Sequence, residues 1–136
     1  MPDQYCVLVV DDDRLLRQFM VSLIADGGYR TLQAQDGAEA IQVAERSRID
    51  LLITDIEMPG ISGLELIRVL RDRGLVDRSL VVTGYSGYSS APISSSAVPI
   101  PCLSKPFTPQ QLLANVRELL GSSVQRRMND EEINAS

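Results

Sequence analysis

The chain has 136 residues, 44% of them hydrophobic, with 18 acidic and 13 basic side chains and a net charge of −5. That length suits a single domain whose core stands without staples, and the acidic balance, with no basic face, argues against a nucleic-acid partner because a negative field repels phosphate backbones. No apolar run approaches a membrane span, the N-terminus lacks a signal-type apolar core, and the absence of histidine excludes Ser-His or Cys-His catalysis within the chain.

The first strand reads Tyr5–Val10, a continuous apolar run expected of a strand covered on both faces, and it ends in Asp11, Asp12 and Asp13. A helix is predicted from about Arg14 to Asp26, capped by Asp13, with Leu15, Leu16, Phe19, Leu23 and Ile24 on one face. Gly27 and Gly28 stop it. Tyr29–Ala34 reads as a second strand, and Asp36 with Glu39 forms a capping-box pattern before a helix over Gly37–Arg46 with Ala40, Ile41 and Ala44 inward. The third strand, about Asp50–Thr54, delivers Asp55 to its tip, where Pro59, Gly60 and Gly63 break the chain. Alone, such an aspartate would read as a turn residue. Ser62 with Glu65 repeats the capping signature, and a helix carrying Leu64, Ile67, Val69 and Leu70 runs to Gly74. Ser79–Thr83 is a fourth strand, and a fifth is predicted near Ile100–Leu103. Thr108, Pro109 and Gln111 open a last helix, Pro109–Leu120, with Leu112, Leu113, Val116, Leu119 and Leu120 inward. Residues 122–136 are polar without an apolar period and are expected to form a disordered tail, leaving 1–121 as the domain. Cys6 and Cys102 read as small buried hydrophobes, kept as thiols in a cytoplasmic, reducing setting.

Alternating strands and helices argue for a doubly wound α/β fold, because parallel strands need crossover helices on both faces. The functional crevice of such a sheet lies beyond the carboxyl ends of its strands. Those ends carry Asp11, Asp12, Asp55 and Thr83, with Lys105 just past the fifth strand. If the first and third strands are neighbours, three carboxylates crowd one crevice, and at an effective dielectric of about 20 each close pair repels by roughly 4 kcal/mol. A positive group must sit among them. Mg2+ (or Mn2+) fits, since one or two carboxylates hold it and leave positions open for a phosphoryl oxygen; Lys105 is a second counter-charge. Asp55 is then the candidate nucleophile for a phosphoryl group, and Thr83 a hydroxyl donor to the transferred group.

The segments VLVVDDD, LLITDIEMPGISGLEL, VVTG and LSKPF, in that order between Val7 and Leu120, resemble the receiver domains of two-component response regulators. The resemblance implies a CheY-like, flavodoxin-like five-stranded parallel sheet in the order 2-1-3-4-5, with helices on both faces. It implies that Asp55 is the phosphoacceptor and that Asp11, Asp12 and Asp55, with the backbone carbonyl of Glu57, hold magnesium. Thr83 becomes the switch hydroxyl and Lys105 the phosphate-binding lysine, followed by a cis peptide into Pro106. The phosphoryl group would come from a partner, a sensor histidine kinase or histidine phosphotransfer protein, which agrees with the lack of histidine here.

Two departures from the family pattern stand out. Gly84–Pro99, where most receivers carry a fourth helix, holds Pro92, Pro99 and many serines, so an irregular segment with at most a turn or two of helix is predicted. Thr83-Gly84-Tyr85 followed by a proline-rich loop is similar to an atypical alphaproteobacterial subgroup in which that helix is missing. Cys102 stands where the family usually has an aromatic that reports on the threonine, so phosphorylation is expected to order Gly84–Pro99 and reposition Tyr85 or Tyr88 instead. The chain after Gly121 leaves no room for an output domain, and a stand-alone receiver acting through protein contacts is the expectation; the alternative is a receiver segment of a larger hybrid kinase or response regulator. Two further readings are a pseudo-receiver that binds a partner without phosphorylation and a haloacid-dehalogenase-type phosphatase. In the second, Asp11 is the nucleophile and Asp13 the general acid.

Overall fold

The computed structural model describes residues 4–84 and 100–121. Strand β1 (Cys6–Val10) is buried along its whole length, as its unbroken apolar run requires. It lies between β2 (Arg30–Ala34) and β3 (Leu51–Thr54), followed by β4 (Ser79–Thr83) and β5 (Cys102–Ser104), all parallel. The order β2-β1-β3-β4-β5 is the one the family resemblance implies. Among the described residues the helices are α1 (Arg14–Asp26), α2 (Gly37–Arg46), α3 (Gly63–Asp72) and α4 (Pro109–Leu120), within a residue or two of their predicted bounds. The expectations for Gly84–Pro99, apart from Gly84 itself, and for the tail at 122–136 fall outside the described residues. No helix among the described residues is long and apolar enough to cross a membrane.

The pleat of the sheet divides the core in two. On one face Cys6, Leu8, Val10, Leu52 and Val81 meet Ala40 and Ala44 of α2 and Leu66, Ile67 and Leu70 of α3. On the other, Val7, Val9, Leu51, Ile53, Leu80 and Val82 meet Met20 and Ile24 of α1 and Leu112, Val116 and Leu120 of α4. Both faces are lined by apolar side chains, and the buried polar residues Asp11, Thr54 and Thr83 gather at the carboxyl ends of the strands.

Helix starts follow the capping signatures. Asp13, Asp36, Ser62 and Thr108 each accept a backbone N–H from the third residue on, and the reciprocal half of a capping box is present at Thr108–Gln111. The inward face of α1 agrees with prediction at Leu16, Leu23 and Ile24 and differs at Leu15 and Phe19. Met20 and Ile24 are its buried residues, whereas Leu15 is 79% and Phe19 45% exposed. Leu16 and Leu23 pack at the margin of the core. An apolar stripe one residue off in phase is equally regular in sequence, and only the neighbouring sheet and α4 decide which stripe is covered.

Candidate functional site

Strand order creates the site. The register pairs Val10 with Thr54, so the residues that follow, Asp11 and Asp55, leave adjacent strands side by side at the carboxyl edge. The Asp55 N–H continues the ladder to the Val10 carbonyl at 3.3 Å, and the Asp11 N–H donates to Ala34 at 3.3 Å. Here the chain turns from β1 toward opposite sides of the sheet, the switch point at which open α/β folds make their crevice. Thr83, buried, ends β4 opposite Ser104 of β5. The Lys105 N–H then donates to the Thr83 carbonyl at 2.9 Å, a cis peptide leads into Pro106, and the lysine side chain reaches back across the sheet.

Asp11, Asp12, Asp55 and Lys105 come together. Lys105 Nζ lies 3.1 Å from Asp55 Oδ2 and 3.4 Å from Asp11 Oδ2, bridging carboxylates that would otherwise repel. Asp55 Oδ1 accepts the Ile56 N–H at 2.7 Å, and Asp11 Oδ1 accepts the Asp13 N–H at 2.8 Å. Asp11 is only 1% exposed. Its burial raises the carboxyl pKa from its ordinary value of 3.8, with the Asp13 N–H and the Lys105 charge opposing and the Asp55 charge adding. For Lys105 desolvation favours the neutral amine, but the Asp55 hydrogen bond and the charges of Asp11 and Asp55 outweigh it, and the net shift is upward. The ammonium form is therefore the one present at neutral pH.

Each of Asp11, Asp12 and Asp55 offers a carboxylate oxygen, and these oxygens lie within 4.8 Å of one another. A set of hard oxygen donors on one open rim suits a magnesium-sized cation that keeps other positions for water or a phosphoryl group. Glu57 follows two residues after Asp55 in the exposed loop that continues β3. Asp13, which the phosphatase reading needs as an acid, is occupied as the cap of α1, accepting the Leu16 N–H at 3.2 Å. The Cys102 thiol is pushed up by burial, which reduces its thiolate fraction and agrees with its reading as a small hydrophobe.

Sequence patterns alone missed two residues that hold Asp55. The buried Thr54 hydroxyl donates to the Asp55 carbonyl at 2.9 Å. Gly63, the first residue of α3, packs so close that a Cβ there would overlap the Asp55 carbonyl oxygen and lie 2.8 Å from its carbon. The Gly63 N–H also donates to the Ile56 carbonyl at 2.8 Å, closing the loop back on the site. A glycine at the first position of a helix, where any residue would suit the backbone, was the available signal.

Residues 7–117 match the family described as the response regulator receiver domain. The chain belongs to that family. This receiver is 38% identical over 114 residues to the response regulator MprA of Mycobacterium leprae, covering 84% of this chain and 50% of that protein. It is 39% identical over 84 residues to the CAI-1 autoinducer sensor kinase/phosphatase CqsS of Vibrio cholerae, covering 62% of this chain and 12% of that protein. The chain thus spans about half the length of the first relative and a small part of the second. Among solved structures, the response regulator TrrA of Thermotoga maritima, in complex with Mg2+-BeF, superposes with a TM-score of 0.75 at 34% identity, covering 86% of this chain and all of that one.

Proposed function

We propose that this receiver accepts a phosphoryl group on Asp55 from a partner's phosphohistidine, in a magnesium-dependent reaction, and signals through protein contacts that depend on the phosphorylated state. The observation that carries it is the Lys105 ammonium bridging Asp55 and buried Asp11 at the switch point of the sheet. An Asp55 carboxylate oxygen attacks phosphorus. The O–P bond forms as the P–N bond to the donor imidazole breaks, with the electron pair remaining on that nitrogen. Lys105, already hydrogen-bonded to Asp55, transfers its donor to a phosphoryl oxygen, and the Thr83 hydroxyl serves a second. Magnesium, held by Asp11, Asp12, Asp55 and the Glu57 carbonyl, would supply the remaining positive charge that the equatorial oxygens require.

The donor is a sensor histidine kinase or histidine phosphotransfer protein. Leu15 and Phe19, one turn apart on α1 just after the acidic run, form an exposed apolar pair that supports docking of a protein over the crevice. The partial coverage of MprA and CqsS supports a second reading in which the same chemistry operates as one domain of a larger regulator or hybrid kinase. The free cysteines Cys6 and Cys102 agree with a cytoplasmic setting.

Acetyl phosphate with magnesium should label Asp55, as read by intact mass and peptide mapping, and Asp55→Asn should abolish the label. Label that persists in Asp55→Asn but disappears in Asp11→Asn would favour the phosphatase chemistry instead. No label in the wild type would return the chain to a phosphate-independent binding module. Phosphotransfer profiling against histidine kinases and phosphotransfer proteins then names the donor.

A further inference from the structure

Arg17 stands in the first turn of α1, its backbone N–H donating to the Asp13 carbonyl at 2.9 Å. Its Nη1 donates to the backbone carbonyl of Asp11 at 2.7 Å, and its Nε donates to Gln33 Oε1 at 2.9 Å. One planar guanidinium thereby ties the helix, the β1–α1 loop and the edge strand β2 together. A lysine ammonium, a point charge, does not reproduce that fork. The remaining polar atoms of Asp11 are engaged as well: its N–H by Ala34, Oδ1 by the Asp13 N–H and Oδ2 by Lys105.

The Asp11 carbonyl belongs to the planar peptide unit that joins Asp11 to Asp12. Holding that oxygen sets the direction in which the exposed Asp12 carboxylate leaves the chain. We infer that Arg17, braced by Gln33, is a positioning residue that orients the Asp11–Asp12 peptide so that both carboxylates present oxygens to a divalent cation beside Asp55. This rests on reading the crevice as a magnesium-dependent phosphoacceptor site.

Two effects of Arg17 on that cation have opposite signs. Its charge repels a divalent ion, so by Coulomb's law alone its removal would tighten binding. Its charge-assisted bond orders two ligands in advance, so by positioning its removal weakens binding. The 2.7 Å contact to the ligand-bearing peptide favours positioning.

Calorimetric titration of the full chain with magnesium decides between them. Arg17→Met should weaken the dissociation constant by about ten- to a hundredfold, the range for partners that orient metal ligands. Gln33→Met changes no charge and sits at an exposed edge-strand position, so it tests the clamp even if Arg17→Met fails to fold; it should weaken binding by about two- to tenfold, the worth of one hydrogen bond. Arg17→Lys should fall between. In each variant, labelling by acetyl phosphate should return toward the wild-type rate at saturating magnesium, a recovery that a misfolded site would not show. A folded Arg17→Met protein that binds magnesium as tightly as the wild type, or tighter, overturns the inference, as does unchanged affinity in Gln33→Met. A wild-type chain that binds no magnesium overturns the phosphoacceptor reading and the inference with it.

Discussion

Adding one methyl group at Gly63 tests how Asp55 is held. A Cβ there meets the Asp55 carbonyl carbon at 2.8 Å and Ile56 Cα at 3.1 Å, besides overlapping the carbonyl oxygen. Carbon atoms rest about 3.5–4.0 Å apart, so the first contact alone demands about 0.7 Å of separation and the oxygen demands more. The obstacle is backbone on both sides, and the Gly63–Ile56 hydrogen bond at 2.8 Å resists the movement. Overpacking of this kind costs about 1–3 kcal/mol, offset by up to about 1 kcal/mol from the helix propensity of alanine. A net loss near 1–2 kcal/mol lowers Tm by about 3–8 °C in a domain of this size. The chemical effect is larger, because a displacement near 1 Å at a reacting group costs on the order of a hundredfold in rate. Gly63→Ala, shown folded by circular dichroism, should therefore accept phosphate from acetyl phosphate about ten- to a hundredfold more slowly at saturating magnesium. Labelling at the wild-type rate would refute the view that this close approach sets the Asp55 geometry.

Lys105 is the only lysine of the chain, so isotope-labelled lysine gives one side-chain ammonium signal. Its folded-state pKa lies above the ordinary 10.5, so its stabilising contribution is complete below that pH and is lost as pH rises through the higher folded value. The signal should titrate above 10.5 in the magnesium-free wild type and move downward in Asp55→Asn; a midpoint below 10.5 in the wild type would dissolve the bridge. For the exposed pair on α1, Leu15→Asp should slow transfer from a protein donor by about tenfold while labelling by acetyl phosphate stays unchanged. Equal slowing with both donors would locate the defect in the crevice and not in docking.

Most of the fold could be read along the chain because its signals are local. Continuous apolar runs at Cys6–Val10 and Leu51–Thr54 mark strands covered on both faces, and four capping residues mark the helix starts. α1 is where local reasoning reaches only part of the way. The helix is legible, and so are Leu16, Leu23 and Ile24 on its covered side, but Leu15 and Phe19 lie outward, because periodicity gives a face without saying which neighbour covers it.

The candidate site divides in the same way. Residue type and position at strand ends were enough to single out Asp11, Asp12, Asp55, Thr83 and Lys105 as a group, since only the carboxyl edge of a parallel sheet collects polar residues from distant segments. The need for a counter-charge followed from the sequence only on the condition that β1 and β3 are neighbours, which the tertiary structure supplies. Tertiary structure alone decided which counter-charge sits where: Lys105 crosses from β5 to reach both Asp55 and Asp11, contacts between residues 50 and 94 positions apart. It also decided that Gly63, Thr54 and Arg17 hold the backbone of the acidic residues. Those roles come from distances between backbone atoms brought together by packing, and no pattern of side-chain types along a chain encodes such distances.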